Sequence, residues 1–383
     1  MRVFLVAGEA SGDRLGAALM AGLKSLTDVE FQGVGGPLMQ AEGMQSLFPM
    51  DELSVMGLAE ILPKYPHLRR RLHQTADAVL AAAPDVLITI DSPDFCLRVA
   101  RLVKAKSSIR TVHYVAPSVW AWRAGRAAKM ARVIDQVLAL LPFEPPYMEA
   151  AGMECDFVGH PVVSEPVASD QEVADFRERY DLGDKPVLLV LPGSRRGEVS
   201  RLAPVFGEVL KPVLAAHPDI QIVLPTTGSV AGLVRELTQG WPRTPLILDP
   251  NNMNSGVYKA EKAASFRAAD FALAASGTVS LELAEAETPM VIAYDMNWLS
   301  RAVISRMLKV DTLTLVNLVS ETRAVPECLG KACRPEVIAR TLLDLIANPT
   351  AQLDAMRLTM TRLGKGGEAP GLRAAKAVLA RMG

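Results

Sequence analysis

Short, nearly continuous apolar runs alternate with longer segments of helical periodicity along the whole chain. Val3–Ala7 precedes Leu15–Leu26, Val86–Ile90 precedes Leu97–Lys106, and Thr111–Val115 precedes Arg123–Val133. Uninterrupted runs of strand length suit strands buried on both faces, and the helical segments between them supply the crossovers of a parallel sheet. The alternation lapses after Gly159-His160-Pro161 and restarts at Val187–Leu191. Ile220–Leu224, Leu246–Leu248, Phe271–Ala274 and Met290–Ala293 then read as strands of a second sheet. The gap, which holds Pro161 and Pro166, predicts an interdomain linker at about 160–172. A last helix is expected at about 370–382, after Gly364-Lys365-Gly366-Gly367 and Pro370-Gly371.

Composition agrees with two domains, because 383 residues exceed the size at which one core keeps growing. The 41 basic and 42 acidic side chains leave a net charge of −1, which gives no global field to attract nucleic acid. Cys96, Cys155, Cys328 and Cys333 form no C-x-x-C pair and no zinc grouping with the five histidines, so no metal is implied and they read as free thiols of a reducing cytosol. Val3–Ala7 is too short for a signal-peptide core, and no apolar run approaches the ~18 residues of a spanning helix. Any membrane contact is therefore expected to be peripheral.

The chemistry collects at strand exits, where open α/β sheets bind their ligands. Gly8-Glu9-Ala10-Ser11-Gly12-Asp13 follows the first strand, and its small residues let backbone amides approach a ligand at a helix start. It is not G-x-G-x-x-G, which disfavours a dinucleotide enzyme; the plain structural alternative is a tight turn capped by Ser11 or Asp13. Asp91-Ser92-Pro93-Asp94-Phe95 leaves the Val86–Ile90 strand, where Asp91 can accept a proton from an incoming hydroxyl while Asp94 suits helix capping. His113 is the competing base. It begins an unusually aromatic stretch, His113-Tyr114-Val115-Ala116-Pro117-Ser118-Val119-Trp120-Ala121-Trp122-Arg123, in a chain that is 5% aromatic. Arg123, Arg126, Lys129 and Arg132 recur every third residue, as either a solvated helix face or a phosphate-holding one.

In the second half, Pro192-Gly193-Ser194-Arg195-Arg196-Gly197-Glu198 joins a strand to a helix without the Walker G-K-[ST], and an arginine fork there can neutralise a diphosphate. Ser276-Gly277-Thr278 repeats the strand-to-helix arrangement, with Glu282 one turn into the helix. No Asp-x-Asp triplet occurs, so cation stabilisation falls to arginine and helix dipoles.

Taken in order and spacing, Gly8–Asp13, Asp91–Phe95, the aromatic stretch and Leu191-Pro192-Gly193-Ser194-Arg195 resemble the lipid-A-disaccharide synthases, glycosyltransferase family 19, over nearly the whole chain. The resemblance implies an α/β GT-B fold, two Rossmann-like domains whose parallel sheets face a cleft. These would be 1–165, the acceptor or lipid domain with helix 365–383 packing back on it, and 166–364, the UDP-sugar donor domain. It implies an inverting enzyme that joins UDP-2,3-diacylglucosamine to 2,3-diacylglucosamine 1-phosphate through a β-1,6 linkage, releasing UDP, with no cofactor. By the same resemblance Asp91 is the base, Gly193, Ser194, Arg195, Ser276, Gly277, Thr278, Glu282 and Asn317 serve the donor, and Glu9, Ser11, His113, Ser118, Trp120 and Arg123 form the acceptor shell. Val316 stands where the family's P-N-L element has proline. Such an enzyme would work in the cytoplasm, held peripherally at the inner membrane; oligomeric assembly stays open. Another GT-B UDP-sugar enzyme, an epimerase or a peptidoglycan-pathway transferase, and a non-catalytic nucleotide-sugar-binding protein are the alternatives.

The segment Leu58–His73 is the expected membrane-facing entry. Leu58, Ile61, Leu62, Tyr65, Leu68 and Leu72 fall mostly at helical spacing, and Lys64, Arg69, Arg70 and Arg71 supply cations for anionic headgroups. Pro63 and Pro66 predict two short pieces or a loop there. The alternative is an ordinary helix with its apolar side buried.

Overall fold

A computed structural model of the chain describes residues 1–53, 58–121, 125–296 and 310–382, with the backbone alone for 58–64. The chain divides into two units, Met1–Ser164 with Leu363–Gly383, and Glu165–Arg362.

The first unit is built on a seven-stranded parallel sheet of β1 (Arg2–Ala7), β2 (Glu30–Val34), β3 (Gln45–Ser46), β4 (Val86–Ile90), β5 (Arg110–Tyr114), β6 (Gln136–Ala139) and β7 (Glu154–Phe157), in the order β3-β2-β1-β4-β5-β6-β7. The second has six parallel strands, β8 (Val187–Leu191), β9 (Gln221–Pro225), β10 (Leu246–Leu248), β11 (Phe271–Ala275), β12 (Met290–Tyr294) and β13 (Glu327–Leu329), in the order β10-β9-β8-β11-β12-β13. Every residue of β4 and β8 is buried, as the unbroken apolar runs require. In each sheet the strand order reverses once, between β1 and β4 and between β8 and β11. Chains leaving two such strands diverge to opposite faces and open a crevice at their carboxyl ends. The loops after these four strands are residues 8–9, with Ser11 in the first turn of the helix that follows, 91–92, 192–195 and 276–278.

Helices α1 (Ala10–Leu26), α2 (Pro37–Ala41), α3 (Leu58–Ala82), α4 (Pro93–Lys104), α5 (Gly125–Met130) and α6 (Pro145–Glu149) belong to the first unit. The C-terminal helix Pro370–Ala380 closes it against α1 through paired glycines: a Cβ on Gly22 would lie 2.7 Å from the Gly371 carbonyl oxygen, and one on Gly371 2.5 Å from that of Ala18. Backbones this close exclude any side chain at either position. The second unit carries α7 (Asp170–Arg179), α8 (Arg196–Ala216), α9 (Ala231–Thr238), α10 (Ser255–Ala268) and α11 (Val279–Glu285) ahead of its last helices. Helix α7 starts inside the stretch expected to be linker, with Ser169 and Glu172 forming a capping box at its start.

Two expectations about helices are corrected. α3 runs unbroken through Pro63 and Pro66. Each proline removes one backbone bond, but both lie within the first nine of its 25 residues, and the remainder is anchored by Ala76 and Val79, packed in one buried cluster with sheet residues. Glu52 adds a clamp by accepting from His67 Nε2 at 2.5 Å and from Arg71 Nε and Nη2 at 2.7 and 2.8 Å. The guanidinium of Arg71 also lies 4.4 Å over the Phe48 ring. The cationic row is shorter than its spacing suggested, since α5 carries Arg126 and Lys129 while Arg132 falls in the turn beyond.

Candidate functional site

In the first unit the switch point brings two loops together. Asp91 donates its backbone N–H to the Tyr114 carbonyl at 3.0 Å, so strand pairing persists to the first residue of the turn. Asp91 and Ser92 then both take left-handed backbone, φ 51° and 42°, which turns the chain sharply into α4. Two consecutive non-glycine residues in this region cost roughly 1–2 kcal/mol each, and such strain concentrates where a side chain must be aimed. Across the crevice, the Ser11 hydroxyl donates to Asp91 Oδ2 at 3.5 Å, the outer limit of a hydrogen bond. A Cβ on Gly8 would meet Ser92 Oγ at 2.7 Å, so glycine is what lets the β1 loop approach the β4 loop. Asp91 is half-buried and Ser11 exposed; Glu9 is the N-cap position of α1 and makes no side-chain cap bond there.

Asp13 does a different job from the one its position suggested. It is 3% exposed and accepts the backbone N–H groups of Gly36, Leu38 and Met39 at 2.9, 3.0 and 3.0 Å. It caps α2 rather than α1, with both carboxylate oxygens engaged by backbone amides there. Cys96, behind the Asp91 turn, is fully buried, and burial pushes its thiol up to about 12.

The β5 exit places one candidate in the core of the sheet. His113 is 2% exposed inside the sheet, with Nδ1 2.8 Å from the Thr89 hydroxyl, and burial pushes it down to about 4. It is therefore a neutral core group, outside any substrate shell. Beyond it, Val115 holds φ 86°, a conformation that β-branched residues rarely adopt, and donates to the Leu138 carbonyl at 3.0 Å. Ser118 is exposed, and Trp120 packs edge to face on Phe143, ring centroids 5.2 Å apart. Trp120 Nε1 donates to Glu144 Oε1 at 3.3 Å. Arg123 lies outside the described residues.

In the second unit the β8 loop is already engaged by an internal anion. Gly193 has φ 117°, a conformation suited to glycine. Glu198 Oε2 accepts the N–H groups of Ser194 and Arg195 at 3.2 and 3.3 Å, and Glu198 Oε1 accepts from Arg195 Nη1 at 3.1 Å. Two amides, a guanidinium and the start of a 21-residue helix thus converge on one carboxylate, which is the donor set an external phosphate would use. Arg195 stays 66% exposed. From the loop after β9, the Thr227 hydroxyl donates to the Ser194 carbonyl at 3.3 Å.

Ser276, Gly277 and Thr278 leave β11 into α11, with Gly277 and Thr278 exposed and the Ser280 hydroxyl donating to the Gly277 carbonyl at 2.9 Å. Glu282 is ion-paired to Lys262 of α10, whose ammonium also sits 5.1 Å from the Phe266 ring centre. Asn317 corrects the last donor expectation. It is 1% exposed, its Nδ2 donates to the Val325 carbonyl at 2.8 Å and Thr312 Oγ1 at 3.2 Å, and its Oδ1 accepts from Val325 N–H at 3.0 Å. Its amide braces the 312–325 loop, leaving nothing aimed at a ligand.

Glu144, Glu198 and Lys262 are the functional candidates that reading the sequence missed. Glu198 had a signal, a glutamate three residues after a helix N-cap, which is the spacing that returns a carboxylate to the cap amides. Lys262 had none, being brought to Glu282 only by the fold.

The model of the lipid-A-disaccharide synthetase family matches residues 3–379. The chain is 65% identical to the lipid-A-disaccharide synthase of Ruegeria pomeroyi, over 100% of this chain and 96% of that protein. It is 48% identical to the one of Rhodospirillum centenum, over 98% and 94%. Among solved structures it resembles the UDP-GlcNAc 2-epimerase of Neisseria meningitidis bound to UDP-GlcNAc, with TM-score 0.67, 12% identity and coverage of 100% and 99%. It also resembles a putative UDP-N-acetylglucosamine 2-epimerase of Listeria monocytogenes, with TM-score 0.64, 14% identity and coverage of 100% and 95%. At those identities the structures share a fold, the paired parallel sheets of the GT-B class, and no more. Matched along its whole length by the family model and by close relatives, the chain belongs to the lipid-A-disaccharide synthase family.

Proposed function

We propose that Asp91 is the general base of the transfer that family membership implies, the condensation of UDP-2,3-diacylglucosamine with 2,3-diacylglucosamine 1-phosphate. The acceptor 6-hydroxyl attacks C1 of the donor sugar from the face opposite UDP. The new C1–O bond forms as the bond to the diphosphate breaks, Asp91 takes the hydroxyl proton, and UDP departs with the bonding pair, leaving a β-1,6 disaccharide. The observation that carries this reading is the placement of Asp91 at the sheet's switch point, on left-handed backbone, with Ser11 Oγ 3.5 Å from its carboxylate.

On the donor side, Arg195 and the amides of Ser194 and Arg195 take the departing negative charge, with Gly193, Ser276, Gly277 and Thr278 letting the nucleotide approach the backbone. Glu198 then yields its place, so diphosphate binding exchanges one anion for another. Glu282 takes the ribose hydroxyls, with Lys262 beside it. On the acceptor side Glu9, Ser11, Ser118 and Trp120 line the approach to Asp91.

The substrates carry acyl chains, and α3 offers them a surface. Tyr65 is 51% exposed and Arg69 and Arg70 are exposed beside it, a pairing of aromatic and cationic groups suited to an anionic inner-membrane face. Among the described residues no helix is long and apolar enough to cross a membrane, and contact through α3 would be peripheral. The test is to incubate the purified chain with both acylated sugars and look for UDP and disaccharide, with UDP-N-acetylglucosamine as the control. Turnover of the control in place of the acylated pair would overturn the reading.

A further inference from the structure

The loops that leave β5 and β6 meet at one buried carboxylate. Glu144 is 4% exposed and lies in the short turn that follows β6. Its Oε2 accepts the backbone N–H groups of Leu140 and Leu141 at 3.1 and 3.0 Å. Its Oε1 accepts from the Trp120 indole at 3.3 Å, while the indole packs on Phe143 at an interplanar angle of 83°. Ala116, Val119, Ala127, Met130, Met148 and Cys155, from the 116–121 loop and the elements around β6, form one buried apolar cluster in the same part of the unit. Burial pushes the carboxyl up to about 7, the mark of an acid held where packing alone would favour a hydrocarbon. What only a carboxylate supplies is two oxygens with separate tasks, one fixing the β6 turn and one fixing the direction of Trp120.

That division matters because the Trp120 loop begins at Val115, whose strained backbone follows directly on Tyr114, and the Tyr114 carbonyl holds the amide of Asp91. We infer that Glu144 is a positioning residue for the acceptor: it locks the 116–121 loop to the β6 turn and so sets the wall of the site beside Asp91. The inference rests on the proposed acceptor role of that loop.

Glu144→Gln separates the two tasks. Its single side-chain oxygen can still serve the Leu140 and Leu141 amides, but its NH2 then faces the indole N–H, donor against donor. Trp120→Phe keeps the aromatic contact and deletes that N–H. The experiment measures acceptor and donor KM, kcat, UDP affinity by titration and melting temperature for the parent, both single variants and the double variant. Glu144→Gln is expected to raise acceptor KM about tenfold, with UDP affinity within twofold of the parent. The double variant is expected to be no worse than Glu144→Gln alone, because removing the indole N–H removes the clash. Three results would overturn the inference: unchanged acceptor KM in either single variant, fully multiplying effects in the double, or donor and acceptor constants worsening together with the melting temperature. Should Glu144→Gln fail to fold, Trp120→Phe decides alone, since the inference requires its acceptor KM to rise while UDP affinity holds. A parent that makes no disaccharide would overturn the proposed function and this inference with it; a normal parent with any of the three results overturns this inference alone.

Discussion

His113→Asn separates a buried structural histidine from a catalytic one. In the folded chain burial holds His113 at about 4 against an ordinary value of 6.5, so between these pH values the unfolded chain binds a proton that the folded chain does not. Stability contributed by the neutral ring is fully present above pH 6.5 and is lost as pH falls toward 4. Each unit of depression is worth about 1.4 kcal/mol, so lowering the pH from 7.5 to 5 should remove about 2 kcal/mol from the parent that the variant keeps. Asparagine places an oxygen near the position of Nδ1 and preserves the contact with Thr89, so its packing deficit should not vary with pH. Urea unfolding followed by hydrogen-exchange labelling of β4 and β5 peptides isolates the first unit and avoids assuming that both units unfold together. The stability gap between parent and variant should close by about that amount across this range, and the variant should keep turnover within severalfold. Parallel pH curves for the two proteins, or a hundredfold loss of turnover in a folded variant, would refute the assignment of His113 to the core.

Arg195→Ala should weaken UDP binding by about 1.5–3 kcal/mol, the usual worth of a charge-assisted bond; calorimetric titration showing parental affinity would remove Arg195 from the diphosphate. The same variant should fold normally, because an ion pair with Glu198 made by a 66%-exposed guanidinium contributes little. Gly8→Ala should lower kcat by more than tenfold while sparing UDP affinity, since its methyl would push Ser92, and with it the Asp91 turn, out of place. Replacing Tyr65, Arg69 and Arg70 together by serine should reduce sedimentation with anionic vesicles and leave UDP binding intact; undiminished sedimentation would exclude α3 as the membrane surface.

The sheet cores were legible because both-face burial leaves unbroken apolar runs: β4 and β8, buried throughout, fall on the expected residues, and the partly buried edge strand β10 does so because it too is wholly apolar. The strands that escaped notice carry polar residues for tertiary reasons. β6 includes Gln136, whose Nε2 donates to Asp156 and to the carbonyl of Ala377 in the last helix, and β2 is a sheet strand with Glu30 and Gln32 exposed. Site residues at strand exits could be named from position. What their side chains bind could not: Asp13 and Asn317 look like ligand groups and satisfy backbone amides elsewhere in the chain, and only the fold brings Lys262 to Glu282. His113 shows the same limit, since its place at the head of the aromatic stretch did not say that its ring is buried.

Asp91→Asn asks directly whether Asp91 removes the acceptor's proton. Asparagine tolerates the left-handed backbone at this position at least as well as aspartate, so the turn at φ 51° should persist and only the basic carboxylate be lost. With saturating acylated substrates, kcat should fall by about 10²-fold or more, with UDP affinity and melting temperature unchanged. Turnover within a few-fold of the parent would contradict the claim and move the base to another residue of the acceptor site.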